Sequence, residues 1–280
     1  MKQISKKFFR QLPLWGLGGL LFFSSCTRVD LEEPLKGKMT LVTDWSKRTT
    51  GIEQPASYTV TINNQTLTLY NNSNLLPELA AGTYPIYIYN SPDRISITGT
   101  TATVATTGDL VNPLPGWLFT ATTEARYADF KEETITVVMQ QHVRQLTITL
   151  TVKEGDPERI ASTSATLTGI ANSLDYEINM HSGTNLSIAP SFTRDGNKLT
   201  ATVRLLGMAN ETKKLILDIT FTDGETQHIE SDVSAQLVNF NQNKHVPLTI
   251  SGNLNTPEES GFAATITGWK VTGSSSGVAW

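Results

Sequence analysis

Residues 213–229 read KKLILDITFTDGETQHI, and this stretch decides the class of fold. Apolar and polar residues alternate on both sides of Asp223-Gly224. A period of two is that of a β-strand with one buried face, and Asp-Gly between two such runs is the strongest short-range hairpin signal. The stretch therefore predicts two antiparallel strands joined by a tight turn.

The same pattern recurs along the chain. Residues 192–203 carry a second Asp-Gly pair, and residues 57–69 carry two adjacent asparagines, which tolerate the positive φ of a tight turn. Residues 176–180 are predicted as a further strand, and helix is expected only as a turn or two within residues 233–240. Many short strands at a spacing of roughly 8–12 residues indicate an all-β sandwich or barrel.

The number and order of the strands predict two tandem β-sandwich domains. Strongly β-branched runs at residues 134–139 and 143–152 flank a short polar junction, where the boundary is placed. No linker rich in Gly, Pro or Ser separates the halves, which favours a stiff junction. The predicted organisation is a leader over residues 1–25, a tether over 26–37, and domains over 38–141 and 142–280.

Composition limits the classes of function. The chain has 280 residues, a formal net charge of −4 and 17% charged residues, below the ~25% of an average domain. No basic block is present, so nucleic-acid binding has no electrostatic support. We therefore expect no nucleic-acid partner.

A search for catalytic chemistry finds no known motif. The four histidines are scattered, without metal-ligand spacing; they are His142, His181, His228 and His245. No nucleophile elbow, phosphate loop, dinucleotide fingerprint or calcium loop occurs. Sequence spacing leaves open a carboxylate pair assembled across strands. The expectation is a protein that is not an enzyme and that needs no metal or cofactor.

The aromatic residues have three interpretations. Trp45, Trp117, Trp269 and Trp280 lie after the leader. Such side chains most often fill a sandwich core, but they also contact partner proteins or stack on sugar rings. Exposed ring faces at Trp45 or Trp117 would favour the sugar interpretation.

The N-terminal segment predicts export. A basic start carrying Lys2, Lys6, Lys7 and Arg10 precedes an apolar run of about a dozen residues, which is the length of a signal-peptide core and too short to span a membrane. The run ends in LFFSSC, whose last residue, Cys26, is the one cysteine of the chain. This ending resembles the lipobox of bacterial lipoproteins, whereas a plain secretory signal with a chance cysteine is the alternative.

The lipobox resemblance implies that Cys26 is acylated and becomes the first residue of the mature chain. Asp30, Glu32 and Glu33 follow closely, which resembles the acidic signal that sends lipoproteins of Bacteroidota to the outer face of the outer membrane. An ordinary solvated linker is the alternative.

Several short motifs, taken in order, resemble the fimbrillin-type lipoproteins of Bacteroidales, in particular the FimB-like anchor and accessory subunits. Besides the lipobox, they are Asp44-Trp45-Ser46, Gly82-Thr83-Tyr84, Tyr89-Asn90, Pro115-Gly116-Trp117, Leu237-Val238-Asn239-Phe240-Asn241, Val246-Pro247-Leu248 and Ile266-Thr267-Gly268-Trp269. The resemblance implies two stacked transthyretin-like, Greek-key β-sandwiches and a role in fimbria assembly and adhesion at the cell surface.

The resemblance also implies partners and sites. Fimbrial subunits of this type join by strand exchange after an arginine-specific protease removes an N-terminal segment. Arg48 is a candidate cut site, and an uncut chain would keep Cys26 and act as an anchor. Residues 262–270 are the candidate exchanging strand, against the alternative of an ordinary edge strand. The alternative function is that of a glycan-binding outer-membrane lipoprotein in polysaccharide uptake.

Overall fold

A computed structural model describes residues 35–256 and 263–273. The predicted leader, Cys26 and most of the tether therefore lie outside the described residues, as do Phe262 and Trp280. The regular secondary structure of the described residues is almost entirely β-strand, with one short α-helix, α1 (Ser234–Leu237), and a 3₁₀ turn at Pro157–Arg159.

The strands of the first half are β1 Lys36–Asp44, β2 Tyr58–Ile62, β3 Gln65–Leu69, β4 Ser73–Leu75, β5 Leu79–Ala80, β6 Gly82–Tyr89, β7 Ile95–Thr98, β8 Thr101–Val104, β9 Thr106–Thr107, β10 Leu110–Val111, β11 Phe119–Tyr127, β12 Glu132–Val138 and β13 Gln140–Gln141. Those of the second half are β14 Arg144–Glu154, β15 Ile160–Thr168, β16 Ile170–Ala171, β17 Ser173–Asp175, β18 Met180–Ser182, β19 Ser187–Ile188, β20 Thr193–Asp195, β21 Lys198–Leu205, β22 Gly207–Met208, β23 Lys214–Phe221, β24 Thr226–Asp232, β25 Leu248–Asn255 and β26 Thr265–Gly273.

The first sandwich packs a four-stranded sheet against a five-stranded sheet. The smaller sheet has the order β12-β1-β4, with β5 also pairing β1, and the larger has the order β13-β11-β6-β2-β3. β1 runs parallel to β12 and antiparallel to β4 and β5. The core between the sheets is apolar and includes Leu41, Val60, Ile86, Ile88 and Phe119.

The second sandwich has a separate core. A six-stranded sheet of order β24-β23-β15-β19-β10-β9 faces a five-stranded sheet of order β20-β21-β14-β25-β26. β14 runs parallel to β25 and antiparallel to β21. Leu146, Ile148, Leu167, Leu217 and Ile250 are fully buried between the two sheets. Burying each such side chain contributes about 1.5–3 kcal/mol, which makes these alternating residues the main source of stability. The prediction of an all-β fold with two tandem sandwiches is confirmed.

The turns lie at the Asn and Gly residues that predicted them. Asn63 and Asn64 have φ of 46° and 58° and form the two-residue loop between β2 and β3. Gly224 has a φ of 89° in the loop between β23 and β24, and Gly196 has a φ of 56° between β20 and β21. Positive φ at these positions is what Asn and Gly allow, so the hairpins predicted from sequence are confirmed.

Two segments differ from the expectation. The strand predicted over residues 176–180 is wrong, because Tyr176 to Asn179 form the turn between β17 and β18, with Asn179 at a φ of 54°. Residues 95–111 of the first half join the second core, because β8 pairs with β17 and β10 pairs with β19. The boundary after residue 141 falls at the passage from β13 to β14 and stays a prediction.

Candidate interaction sites

The final strand, β26, is an edge strand with an irregular fit. Within the part of the chain that the structure describes, it pairs only with β25, and the pairing shifts register between Thr249 and Ile250 and again between Ser251 and Asn253. Gly268 has a φ of 60° within the strand. Most of its side chains are exposed or half-buried. An edge with free main-chain groups is a template for pairing with another chain.

Buried polar atoms lie beside this strand. Within residues 35–256 and 263–273, the buried side-chain oxygens without a hydrogen-bond partner are Gln236 Oε1, Ser251 Oγ and Asn255 Oδ1. Ser251 and Asn255 belong to β25, and Gln236 reaches β26 through a bond from Nε2 to the Trp269 carbonyl of 3.5 Å. An unpaired buried polar atom costs about 1–3 kcal/mol. The buried polar groups beside β26 are therefore less completely hydrogen-bonded than those beside the inner strands.

The first strand fits its groove closely. Met39, Leu41, Thr43 and Trp45 alternate inward, and each is buried. Trp45 Nε1 donates to Thr43 Oγ1 at 3.0 Å. Met39, Leu41 and Trp45 therefore belong to the first core.

The turn after β1 contains Arg48, the candidate cut site. Arg48 is half-buried, and its guanidinium donates to the carbonyl of Ile52. Thr49 is tied to two distant segments, since its N–H donates to Gln141 Oε1 at 2.9 Å and its hydroxyl to the His245 carbonyl at 2.7 Å. Cleavage after Arg48 stays a prediction.

Of the tryptophans that the structure describes, Trp45 and Trp117 have covered ring faces. Trp45 is 8% exposed and lies edge-on to Tyr58 and Phe119, with ring centroids 6.0 Å and 5.5 Å away. Trp117 lies under the guanidinium of Arg204, whose Cζ is 5.0 Å from the ring centroid. Trp269 is half-buried against the second core. The ring faces that would have favoured sugar stacking at the first two positions are covered.

The structure brings His181, one of the four histidines scattered along the sequence, together with Lys244. Lys244 is 6% exposed, and its Nζ lies 2.5 Å from His181 Nε2 and donates to the Leu206 carbonyl at 2.9 Å. Burial, reinforced by Arg144, lowers the pKa of Lys244 to about 7. Burial and the charge of Lys244 lower the pKa of His181 to about 3. Burial also holds the pKa of His142 well below its ordinary value.

Arg144 fixes the loop that carries Lys244. Its Nε donates to the Val246 carbonyl at 2.7 Å, and its Nη1 donates to the carbonyls of Asn239, Phe240 and Gln242 at 3.2, 2.9 and 3.1 Å. Four backbone acceptors on one guanidinium hold this loop against the start of β14. No short motif marks this role, because the partners are backbone carbonyls about a hundred residues away in sequence.

A polar cleft opens beside these residues, with a volume of 560 Å³. It lies between the turn after β1, strands β11 to β13, the β17–β18 turn and the loop before β25. His228 lies apart from it on β24, where its Nδ1 is 2.7 Å from Asp218 Oδ1. In the part of the chain that the structure describes, no group of three or more His, Cys, Asp or Glu side chains could hold a metal. The helices of that part are too short or too polar to cross a membrane.

Comparison with known proteins assigns the family. The family model of the fimbrillin-A associated anchor proteins Mfa1 and Mfa2 matches residues 57–275. The chain belongs to this family. The predicted resemblance to fimbrial anchor subunits is thereby confirmed, and the Mfa1/Mfa2 family is one of fimbrial anchor proteins, not an enzyme family.

Solved structures with the same fold are known. The fimbrial anchor protein Mfa2 from Porphyromonas gingivalis is 11% identical, with a TM-score of 0.58 over 85% of this chain and 98% of that chain. A candidate adhesin from Bacteroides ovatus is 15% identical, with a TM-score of 0.57 over 87% and 97%. A Bacteroides thetaiotaomicron protein described as a candidate polysaccharide-binding protein is 10% identical, with a TM-score of 0.58 over 85% and 98%. At these sequence identities, the structural similarity shows only that this member of the Mfa1/Mfa2 family shares their fold. No curated protein sequence matches the chain.

Proposed function

We propose that the protein is a lipid-anchored fimbrial subunit on the outer face of the outer membrane, where it holds partner subunits by β-strand addition. Membership of the Mfa1/Mfa2 family is the observation that carries this proposal. Acylation of Cys26 would supply the anchor, because two or more acyl chains give stable membrane attachment.

β26 is the strand through which we expect a partner to join. Among the described residues it has a neighbour on one side only, its register with β25 is broken twice, and most of its surface is accessible. In strand addition, main-chain hydrogen bonds supply affinity and alternate side-chain contacts set the register. A partner strand could pair along the free edge of β26 or replace β26 beside β25. In either case it would have few existing interactions to displace.

The first strand is a poorer candidate in the uncut chain. β1 has neighbours on both sides and buries Met39 and Leu41 at 2% and 0% exposure. Its exchange would first require removal of those side chains from the core. We therefore assign partner joining to the C-terminal edge and membrane attachment to the N-terminal segment.

Deletion of residues 262–280 tests this assignment. We expect the shortened chain to fail to co-purify with fimbrial subunits from cells, with cell-surface level and thermal unfolding measured to verify that the remainder is folded. Fimbriae that assemble unchanged on a folded, deleted subunit would reject strand addition at β26.

A milder variant guards against misfolding. Val271 lies on β26 and is 44% exposed, so Val271→Lys adds a charge to the edge without opening the core. We expect reduced co-purification of fimbrial subunits. The matched control is Val138→Lys on β12, the edge strand of the first sandwich, where the side chain is 38% exposed and assembly should persist.

A further inference from the structure

The polar cleft between the turn after β1 and the loop before β25 has an unusual lining. Six carboxamide side chains line it, namely Gln140, Gln141, Asn179, Asn241, Gln242 and Asn243. Its only lining side chains with apolar character beyond Tyr176 are Ala121 and Val138. A volume of 560 Å³ is in the range of small-ligand sites, roughly 300–1,000 Å³.

Four of these amides are available to a ligand. Among the described residues, the side chains of Gln140, Asn179, Gln242 and Asn243 make no hydrogen bond, and each is exposed. A carboxamide both donates and accepts, which matches the hydroxyl groups of a sugar. The Gln141 side chain is instead already hydrogen-bonded within the protein, since its Nε2 donates to the Val143 carbonyl at 2.8 Å. Gln141 forms part of the floor of the cleft.

The charges around the cleft have one sign. No Asp or Glu lines it, whereas Lys47 and Lys244 do, together with His142 and His245, whose pKa values are lowered first by burial so that both are neutral near pH 7. The Lys244 amine lies 2.5 Å from His181 Nε2, and the other titratable groups that act on it or respond to it are Arg144 and His142. A buried cation without a counterion is stabilised by an anion that reaches it.

We propose that this cleft binds an acidic sugar, with its carboxylate toward Lys244 and its hydroxyls on the amides of Gln140 and Asn243. The exposed Lys47 at the rim attracts the anion, and the half-buried His245, whose pKa is lowered first by burial, is a neutral imidazole that can hydrogen-bond to it. A peptide fits less well, because its side chains would find little apolar surface among the lining residues. The inference goes beyond the proposed anchoring function, since the cleft does not include β26 or Cys26.

Calorimetric titration of the full chain with glucuronic acid and with N-acetylneuraminic acid tests the proposal. We expect at least one of these acids to bind at least tenfold more tightly than glucose, which lacks the carboxylate, and than acetate, which lacks the hydroxyls. Equal affinity for acetate would reduce the cleft to an anion site and overturn the assignment. Tighter binding of the dipeptide Ala-Ala would assign it to a peptide terminus and also overturn it.

Variants locate the binding. Gln140→Ala and Asn243→Ala change exposed side chains, and we expect each to weaken binding of the acid about tenfold. The matched control is Asn210→Ala, an exposed amide outside the cleft that should bind like the wild type. Unchanged affinity in both cleft variants would refute the site. Co-purification of fimbrial subunits should stay intact in them, so failure here is distinct from failure of the anchoring proposal.

Proton linkage supplies an independent readout. An anion beside Lys244 raises the pKa of its amine, so binding near pH 7 should take up protons, visible as different heats in phosphate and Tris buffers. We expect Lys244→Met to abolish both this difference and the preference for the acid over glucose. A folded Lys244→Met chain that retains both would contradict the role of the amine.

Discussion

The amine of Lys244 lies where a positive charge is costly. It is buried, its hydrogen-bond partners are His181 and the Leu206 carbonyl, and its pKa is lowered to about 7, first by burial and then by Arg144. The pKa of a lysine in an unfolded chain is about 10.4. The unfolded chain therefore binds more protons than the folded one between these values, and stability must rise with pH across that window.

This gives the first residue-scale prediction. Between pH 7 and pH 9 we expect the free energy of unfolding to rise by about 2 kcal/mol in the wild type. Lys244→Met should flatten that rise, as measured by urea unfolding at each pH. The control is Lys153→Met, an exposed lysine on β14, which should keep the slope. An unchanged slope in Lys244→Met would mean that the amine keeps its proton in the folded state.

At the scale of the element, β1 and the turn after it form one unit. Loss of β1 would strip Met39 and Leu41 from the first core, and removing a large buried side chain costs about 2–5 kcal/mol. The turn itself is held by the bonds of Thr49 to Gln141 and to the His245 carbonyl. A protease needs a locally extended, accessible chain, which these bonds oppose.

We therefore predict that the folded chain resists an arginine-specific protease at Arg48. Mass spectrometry of the digested native protein should show no fragment that begins at Thr49, whereas the urea-unfolded protein should yield it. Arg48→Lys serves as the control that removes the target in both states. A native fragment starting at Thr49 would instead support release of β1 and strand exchange at the N-terminal groove.

At the scale of the whole molecule, Trp117 connects the two cores. It packs against both hydrophobic clusters, and its carbonyl accepts a hydrogen bond from Asn90 Nδ2 at 2.8 Å. The guanidinium of Arg204 covers its ring from the second sandwich. Unfolding of one sandwich should therefore disturb the other.

Removal of this contact should uncouple the sandwiches. We expect one calorimetric unfolding transition in the wild type and two in Trp117→Ala, with a loss of about 2–3 kcal/mol because the ring is only partly buried. Trp269→Ala is the control, since Trp269 packs against the second core alone and should lower the transition without splitting it. A single transition in Trp117→Ala would show that other contacts suffice.

Attachment to the membrane also concerns the whole molecule. Because Cys26 is the one thiol in the sequence, Cys26→Ala should abolish incorporation of labelled palmitate and release the protein from the membrane fraction. The wild-type chain, processed in parallel, is the comparison. Retention of the unlabelled variant in washed membranes would count against the lipid anchor.

The local pattern of the chain determined the strands and their turns. Alternation in residues 213–229 and the positive φ that Gly224, Asn63 and Asn64 allow are local properties, so β23, β24, β2 and β3 could be predicted. The family resemblance was also carried by short motifs in order. The turn over Tyr176 to Asn179 escaped prediction, because alternation continues through it and only Asn179 marks the reversal.

The tertiary structure alone decided which strands pair and which side chains meet. β1 lies beside β12 in parallel, and residues 95–111 join the second core. In both cases the strands that pair are distant in sequence. His181 and Lys244 are 63 positions apart, yet their nitrogens are 2.5 Å apart. Burial and neighbouring charge set the pKa of such groups, and both arise only when distant segments fold together. The polar cleft has the same origin, so no local reading of the chain could find it.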